Sequence, residues 1–487
     1  MNGKTYQFGT LLSGKWVGNG DERFETFDPS EPTSKVGAYL ATTSSEVSAV
    51  VSAAAAAQKV WASVPGLERQ MVLSRYFAKL KEHTEDIATS MTCEMGKPLT
   101  EARGEIGYSL LEAEFMLGEV ARPYGWLMPS FRRDIQNQVV RRPRGVIAAI
   151  SPWNYPVLTP MRKVVPALVF GNAVVLKPSE FSPAAACIAA ELAIGILPDG
   201  LFGIVQGGAD VGQALVSNRL VNGVTFTGSI PTGRAIYQLA ASNLAEVSLE
   251  LGGKNPIVLN DTHDLDSVLD EIVRGAMNNG GQRCTATSRL LVQKSLVADV
   301  EAGLKQRLGR LVVGNGLDEK TQIGPMAMKS HRDKVLGMIK TGASEKARIG
   351  IGGEPAAPVG FERGYFVQPT LLCDVTPSMV VAKEEIFGPV LSVLKYDEIE
   401  TALQIVNGVE FGLAASLFSE DPLVIRQFTE HAEAGMIHIN NQTAVDPNMP
   451  FVGTKDSGVG ACSVGQSAVN FYTSERSIYI KYGTGKK

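Results

Sequence analysis

The sequence predicts an α/β protein built on a doubly wound parallel sheet. Short apolar runs alternate with helical segments between Gly145 and Leu259, and this order produces parallel strands joined by right-handed crossovers. A polar loop follows most of these runs, and ligands bind at the carboxyl ends of such strands. A second series of strands and helices extends from Leu265 to about Ile439. We therefore expect two α/β units.

Composition narrows the class of protein. The 487 residues are 44% hydrophobic and 20% charged, which is typical of an ordered globular chain of two or three domains. The formal net charge of −4 gives no reason to expect nucleic acid or a membrane surface as a partner. Neither a secretory signal nor a membrane-spanning run is recognised. We expect a cytoplasmic protein.

The cysteines indicate a reducing environment. Five cysteines lie far apart and form no CxxC pair. An odd number of isolated cysteines is typical of free thiols, not of disulfides or a zinc site. We expect no bound metal.

The amino-terminal part reads as strands followed by helices. Residues 1–35 resemble short strands separated by turns. The segment Thr43–Glu46 has the pattern of a capping box and opens an alanine-rich helix that ends near Ala62. Two amphipathic helices are predicted next, at about Gly66–Ser90 and Lys97–Ala121. In the first of them we expect a buried stripe, formed by Leu73, Tyr76, Phe77 and Leu80.

A hairpin is predicted between Arg122 and Arg144, where polar and apolar residues alternate. Its arginines indicate a solvated strand face or a contact between subunits. The tail after Phe471 alternates in the same way and could add an edge strand to a neighbouring subunit.

The central region supplies most of the predicted strands and helices. The strands are Val146–Ile150, Ala173–Leu176, Phe202–Val205, Val221–Phe226, Val247–Leu249 and Ile257–Leu259. The helices between them are about Thr159–Phe170, Pro183–Gly195, Val211–Ser217 and Thr232–Ala241. Later strands are predicted at Arg289–Val292, Tyr365–Thr370 and Val390–Lys395.

Cys284 is the candidate nucleophile. Most cysteines are small buried hydrophobes, but this one follows Gly280 and Gly281 in a polar turn, and the neighbouring Arg283 favours a thiolate. No histidine lies near it in sequence. Glu250, at the end of an apolar run, is the best candidate for its base.

Three further loops carry candidate binding residues. Asn154 follows the first strand of the sheet and offers amide donors to an oxyanion, or else caps the next helix. Lys177 and Glu180 follow the second strand and can hold an adenine ribose, with Glu180 favouring NAD over NADP; a surface ion pair is the alternative. Glycines after the fourth strand, Gly228 and Gly233, suit a pyrophosphate, although an ordinary strand–helix turn also requires them.

Together these loops resemble the aldehyde dehydrogenase family. The matching motifs occur in the family's order over nearly the whole chain and are SPWNYP (151–156), LKPSE (176–180), FTGSIPTG (226–233), LELGGKNP (249–256), GGQRCTA (280–286), KEEIFGPV (383–390) and PFVGTKDSG (450–458). Each motif alone is weak, but their combination is specific. The resemblance implies an NAD(P)-dependent enzyme that oxidises an aldehyde to a carboxylic acid.

The resemblance also implies a mechanism. Cys284 attacks the aldehyde, and the Asn154 amide and the Cys284 N–H stabilise the oxyanion of the thiohemiacetal. Hydride transfer leaves a thioester, which Glu250 hydrolyses by activating water. The residues that the resemblance assigns to the cofactor are Trp153, Lys177, Glu180, Gly228, Ser229, Gly233, Glu385 and Phe387.

The family fold implies three parts. A Rossmann-variant cofactor domain would take residues 1–121 and 144–252, and an α/β catalytic domain residues 253–452. A small oligomerisation arm, residues 122–143 and 466–487, would build a homodimer or homotetramer.

Two departures from the family pattern affect the expected substrate mouth. Val452 replaces a glycine of the PFGG motif, and Gly460-Ala461-Cys462 replaces Gly-Arg-Glu. Family rules about substrates therefore transfer poorly there.

Substrate choice depends on Arg162, which matches a position where succinate semialdehyde dehydrogenases carry arginine. A cation there suits a carboxylated aldehyde, but their second arginine is Asn278 here. The segment 438–443 is reminiscent of benzaldehyde dehydrogenases, so an aromatic aldehyde is the alternative. The residues assigned to the substrate are Arg162, Tyr155, Arg283, Thr285 and Phe451.

Two other classes of protein remain to be weighed. A cysteine hydrolase or acyltransferase would need no nicotinamide and usually a histidine, yet the five histidines lie outside every motif. A non-catalytic structural relative would have no chemical need for Asn154, Glu250 and Cys284 together.

Overall fold

A computed structural model describes residues 5–18, 20, 22–122 and 124–483. The ends of the expected cofactor domain and arm, residues 1–4 and 484–487, and positions 19, 21 and 123 lie outside the described residues. No described helix combines the length and the apolar character needed to cross a membrane.

The helices begin in the amino-terminal third and then alternate with strands. They are α1 Ser44–Trp61, α2 Gly66–Glu82, α3 Thr84–Met95, α4 Leu99–Gly118, α5 Leu158–Val169, α6 Ala184–Glu191, α7 Ala209–Val216, α8 Ile230–Ala241, α9 Leu265–Met277, α10 Val297–Leu308, α11 Lys329–Ser344, α12 Val380–Lys383, α13 Ile399–Asn407, α14 Pro422–His431 and α15 Val469–Tyr472.

Within the described residues the strands form two large sheets and three small ones. They are β1 Tyr6–Phe8, β2 Thr10–Leu12, β3 Lys15–Val17, β4 Arg23–Asp28, β5 Glu31–Leu40, β6 Gly125–Met128, β7 Ile135–Pro143, β8 Val146–Ile150, β9 Ala173–Lys177, β10 Phe202–Ile204, β11 Val221–Thr227, β12 Glu246–Glu250, β13 Asn255–Leu259, β14 Thr287–Gln293, β15 Arg348–Ile351, β16 Thr370–Cys373, β17 Val390–Tyr396, β18 Phe411–Gly412, β19 Ala414–Phe418, β20 Met436–Ile439, β21 Thr454–Lys455, β22 Gly458–Gly460 and β23 Thr473–Lys481.

The first large sheet has the order β22-β12-β11-β8-β9-β10-β2-β3, with β12 to β10 parallel and the outer strands antiparallel. The second has the order β15-β16-β17-β14-β13-β19-β20, parallel except for β15. The central strands are buried on both faces, as parallel strands covered by helices must be. The expectation of an α/β protein with a doubly wound parallel sheet and a second α/β unit is confirmed.

One strand belongs to a different sheet from the one predicted. The run at Ile257–Leu259 reads as the last strand of the first series, but β13 pairs with β14 and β19 in the second sheet. The chain leaves the first sheet through Gly252 and Gly253, where space is short. A Cβ at Gly253 would lie 2.7 Å from the Cys284 carbonyl oxygen, so these glycines allow the crossing to pass beside the cysteine.

The helical region agrees with the sequence except at one break. Thr43 forms both bonds of a capping box with Glu46 at the start of α1, and the predicted stripe of α2 is buried. The single helix expected at Gly66–Ser90 is wrong, because the backbone leaves helical geometry at His83 (φ −102°, ψ 18°). No glycine or proline marks that break.

The predicted strand at Tyr365–Thr370 is also misplaced. Only Thr370 belongs to β16, which begins there. Pro369 precedes it and has no N–H to donate to a ladder. The buried side chains Phe366 and Val367 explain the apolar pattern without a strand.

The hairpin prediction is confirmed, but the tail has a different partner. Strands β6 and β7 form the hairpin, and β23 pairs with β7 of the same chain from Thr473↔Pro143 to Lys481↔Ile135. The tail therefore completes a three-stranded sheet within its own subunit. On β6 this sheet exposes Trp126, Leu127 and Met128.

Candidate active site

A cavity of about 570 Å³ lies where loops of the two large sheets meet. Most of the residues singled out from the sequence line it, namely Trp153, Asn154, Tyr155, Arg162, Gly228, Ser229, Glu250, Arg283, Cys284, Thr285, Glu385, Phe387 and Phe451. Lys177, Glu180 and Gly233 are not part of its wall. No group of metal-ligating side chains is found among the described residues.

Cys284 sits in a tightly constrained loop between α9 and β14. A 3₁₀ segment, Asn278–Gly281, precedes it, and Gly281 has φ 69°. A Cβ at Gly281 would lie 2.1 Å from the Gly388 carbonyl oxygen, so only glycine fits. The Asn255 side chain donates to the Cys284 carbonyl at 2.7 Å. These contacts fix the backbone that presents the sulfur.

The Cys284 thiol is protonated in this environment at neutral pH. Burial, Glu385 and Glu250 raise its pKa while Arg162 and Arg283 lower it, and the balance is a pKa of about 11. A thiol with such a pKa is a weak nucleophile until a base or a positive charge assists it. The groups that could help this thiol to ionise are therefore the carboxylate of Glu250 and the cations of Arg162 and Arg283.

Asn154 is held against the loop that carries Cys284. The side-chain Nδ2 of Asn154 donates to the Gln282 backbone carbonyl at 2.9 Å. The backbone carbonyl of Asn154 accepts from Lys97 Nζ at 2.9 Å. Lys97 is ion-paired with buried Glu105, and Glu105 also accepts the N–H groups that open α5. The Asn154 side chain faces the loop that carries Cys284 and does not cap the next helix. An amide nitrogen has two hydrogens, so one of them is not used in the bond to Gln282.

Glu250 ends β12 and is a buried, ionised carboxylate. Thr227 donates to it at 2.8 Å, Ser463 donates to its other oxygen, and Lys163 Nζ lies 3.6 Å away. Burial raises its pKa, but Lys163, Arg162, Ser463 and Thr227 together outweigh burial and hold the pKa below its usual range. The group is therefore ready to accept a proton at neutral pH.

The segment that departs from the family pattern lies beside this carboxylate. Strand β22 is antiparallel to β12 and pairs Gly458 with Glu250. The sequence places Gly460-Ala461-Cys462 near the substrate mouth, but none of the three lines the cavity, and Gly460 pairs with Ser248 at the edge of the first sheet. Ser463, which the sequence did not single out, follows directly and bonds to Glu250.

Replacing Ser463 by alanine should raise the pKa of Glu250. The hydroxyl hydrogen bond stabilises the charged form, so its loss favours protonation. We expect the acid limb of the kcat–pH profile to move upward by about one pH unit. A Ser463→Thr variant, which keeps the hydroxyl, is the matched control. An unchanged acid limb in Ser463→Ala would show that this bond does not tune Glu250.

Arg162 lines the cavity but its charge is already paired. Its Nη2 and Nε donate to the two Glu112 oxygens at 2.5 and 3.1 Å, and both side chains are buried. The guanidinium also lies 4.7 Å from the centre of the Phe451 ring. The cation that the sequence predicts at Arg162 is therefore already neutralised by a buried carboxylate. Glu112 is 50 residues away in sequence, on α4.

The residues assigned to a cofactor fall into two groups. Ser229 caps α8, and Trp153 and Phe387 form edge-on ring contacts on the cavity wall. Glu385 accepts the Gly253 N–H at 3.0 Å, and burial raises its pKa to about 7.

The second group lies away from the cavity wall, with Lys177 and Glu180 at the end of β9 and Gly233 in α8. Lys177 Nζ donates to the Gly207 carbonyl at 2.6 Å and lies 3.5 Å from Glu180. Gly233 is in the first turn of α8, where a Cβ would lie 2.6 Å from Leu251. The close packing of α8 against Leu251 therefore explains why residue 233 is a glycine.

The position of His331 weakens the sequence-based argument that no histidine lies near the site. The sequence places every histidine outside the motifs, yet His331 on α11 lines the cavity and contacts the rings of Trp153 and Phe387. It bonds to the Phe387 carbonyl at 2.7 Å, and burial lowers its pKa to about 4. No hydrogen bond joins it to Cys284 in the part of the chain described. It is therefore neutral, with Nε2 donating to the carbonyl.

The fold and the cavity define an enzyme of the α/β class with a cysteine, an amide and a carboxylate in one site. The chain matches the aldehyde dehydrogenase family over residues 16–478. It belongs to that family, and the resemblance read from the motifs is confirmed.

The comparisons include enzymes with different substrates. The chain is 38% identical to an α-ketoglutaric semialdehyde dehydrogenase of Bacillus subtilis, over 97% of each chain. It is 36% identical to the NADP(+) succinate-semialdehyde dehydrogenase GabD of Escherichia coli, covering 92% of this chain and 93% of the relative. A betaine aldehyde dehydrogenase from Staphylococcus aureus, solved in complex with NAD+, superposes with a TM-score of 0.94 at 29% identity, covering 98% and 95% of the chains.

Proposed function

We propose that the protein oxidises an aldehyde to a free carboxylic acid with NAD or NADP, through a thiohemiacetal and a thioester on Cys284. The observation that carries this proposal is that Cys284, Asn154 and Glu250 line one cavity. The bound nicotinamide would supply the hydride acceptor. A cysteine hydrolase is less well supported because His331 is turned toward a carbonyl.

Each residue has a part that its contacts support. The Cys284 thiol releases its proton to solvent, a step that Arg162 and Arg283 favour, and the thiolate sulfur adds to the aldehyde carbon. The Asn154 amide and the Cys284 N–H stabilise the oxyanion. After oxidation, ionised Glu250 takes a proton from water, which attacks the thioester carbon and releases the acid and the thiolate. Lys163, 3.6 Å from Glu250, keeps that carboxylate charged between turnovers.

Cofactor residues fit a dinucleotide that enters along the first sheet. Lys177 and Glu180 would hold the adenine ribose, Gly228, Ser229 and the start of α8 the pyrophosphate, and Glu385 the nicotinamide ribose. Trp153 and Phe387 would lie beside the ring. The Glu180 carboxylate opposes a 2′-phosphate, so NAD is the preferred cofactor in this proposal.

A carboxylated semialdehyde is the proposed substrate. The Bacillus subtilis and Escherichia coli relatives act on α-ketoglutaric and succinate semialdehydes by name. The Staphylococcus aureus enzyme acts by name on betaine aldehyde. Membership of the family alone therefore does not decide which aldehyde is the substrate. An aromatic aldehyde remains the second candidate, because Tyr155 and Phe451 line the cavity.

The oligomer, the domain limits and the location stay predictions. The three-stranded sheet of β6, β7 and β23 exposes Trp126, Leu127 and Met128, and an exposed apolar strand of this kind supports pairing with another subunit. We propose a homodimer or homotetramer built on this arm. The division near Gly252 and a cytoplasmic location are likewise expected.

The experiment that tests this function is a direct assay. Purified protein is mixed with NAD or NADP and a panel of aldehydes, and reduced nicotinamide and carboxylic acid are measured together. We expect both products in equal amounts and a higher kcat/KM with NAD. Acid formation without reduced nicotinamide would favour the hydrolase class instead.

A further inference from the structure

Arg283 is a cation without an anionic partner at the centre of the site. Its Nε and Nη2 atoms are buried, and neither has a hydrogen-bond partner. Its side chain lines the same cavity as Cys284, the next residue in the chain. No ion pair to a described residue involves it. A buried donor left unpaired is costly, so the Arg283 side chain gains if it turns these donors toward an acceptor bound in the cavity.

The other cations of the cavity wall are either paired with a carboxylate or exposed to solvent. Within the described chain that wall carries Lys97, Arg162, Arg283 and Lys334. Lys97 is paired with Glu105 and Arg162 with Glu112, each as a buried ion pair. Lys334 is exposed and lies on α11 one turn after His331. Arg283 is therefore the partly buried cation of this wall that remains free to bind an anion.

The nearest competing anion is Glu101, on α4. It lines the cavity too, and it accepts the Asn279 N–H at 2.7 Å. Burial raises the Glu101 pKa, while Lys97 and Arg283 lower it, which shows that the two side chains influence each other without forming an ion pair. A structural role for Arg283, balancing Glu101, must therefore be tested against a role in substrate binding.

We propose that Arg283, and not Arg162, binds the carboxylate of the semialdehyde substrate. This inference rests on the proposed function, since it assumes that the aldehyde is attacked by Cys284. A guanidinium offers a carboxylate two parallel N–H donors. Arg283 directly precedes Cys284 in the chain and lines the same cavity, so a short semialdehyde such as succinate semialdehyde is the substrate to test.

The test compares an anionic aldehyde with a neutral one in the same protein. Wild type, Arg283→Met and Arg283→Lys are assayed with succinate semialdehyde and with butyraldehyde, which has the same four-carbon chain without the carboxylate. We expect the ratio of the two kcat/KM values, anionic over neutral, to fall about 100-fold in Arg283→Met. Arg283→Lys, which keeps the charge, should give an intermediate ratio.

The ratio separates the possible roles. Any effect of Arg283 on the reactivity of Cys284 acts on both aldehydes equally and cancels. An unchanged ratio in Arg283→Met would overturn the inference. Recovery of both activities on adding Glu101→Gln to Arg283→Met would overturn it as well, because it would assign Arg283 to charge balance. If wild type forms no reduced nicotinamide with either aldehyde, the proposed function itself fails.

Discussion

Replacing Cys284 by serine is expected to lower kcat/KM for aldehyde oxidation by about 10⁴-fold or more. Serine keeps the size of the side chain, but its hydroxyl is far harder to ionise than a thiol, and no histidine is hydrogen-bonded to this position to activate it. The loss should be seen with every aldehyde, whatever its charge. Steady-state formation of reduced nicotinamide measures it.

The control for Cys284→Ser is binding of the dinucleotide. The substitution removes no hydrogen bond from the Cys284 carbonyl, which Asn255 holds, so Kd for NAD and the thermal unfolding midpoint should stay close to those of wild type. Alanine at Cys373, a buried cysteine of β16, should leave the chemistry intact. Aldehyde oxidation by Cys284→Ser at the wild-type rate would end the proposal of a thioester route.

Glu250→Gln is expected to lower steady-state kcat by about 10²–10⁴-fold while preserving the first turnover. The amide cannot accept the proton of the attacking water, so the thioester should form and then persist. Rapid mixing should show a burst of reduced nicotinamide equal to one per site, followed by a slow rate. Mass spectrometry of the stopped reaction should locate the acyl group on Cys284.

A loss of the burst would contradict this assignment, since it would mean that Glu250 is required to ionise the thiol. Stability is a separate readout, because the substitution leaves Lys163 buried without its carboxylate 3.6 Å away. Lys163→Met combined with Glu250→Gln removes that unpaired charge. The burst of the double variant then reports on chemistry alone.

The parts of the site that follow strands could be predicted from the sequence. Asn154 follows β8 and Glu250 ends β12, which flank β11 in the first sheet, and parallel strands bring their carboxyl ends to one edge of the sheet. Cys284 joins them because its loop lies at the start of β14, across the gap between the sheets. Each local pattern alone leaves these residues open to a structural explanation, and it is the combination of the motifs in one order that singles them out.

Contacts between side chains that are far apart in the chain could not be predicted from the sequence. Glu112 lies on an amphipathic helix, and nothing local shows that it would neutralise Arg162. His331 lies on α11, outside every motif, and reaches the site only through the packing of that helix. The break at His83 has no glycine or proline to mark it. Each of these features depends on tertiary contacts that sequence periodicity does not carry.

The pairing of β22 with β12 has a consequence for the nascent chain. Ser463 is made 213 residues after Glu250, so the ribosome releases the nucleophile, the amide and the carboxylate long before the hydroxyl that anchors that carboxylate. Translation that stops before this point yields a polypeptide with an incomplete first sheet and an untethered Glu250. A segment made well after Glu250 and Cys284 thus completes the hydrogen bonding of the candidate site.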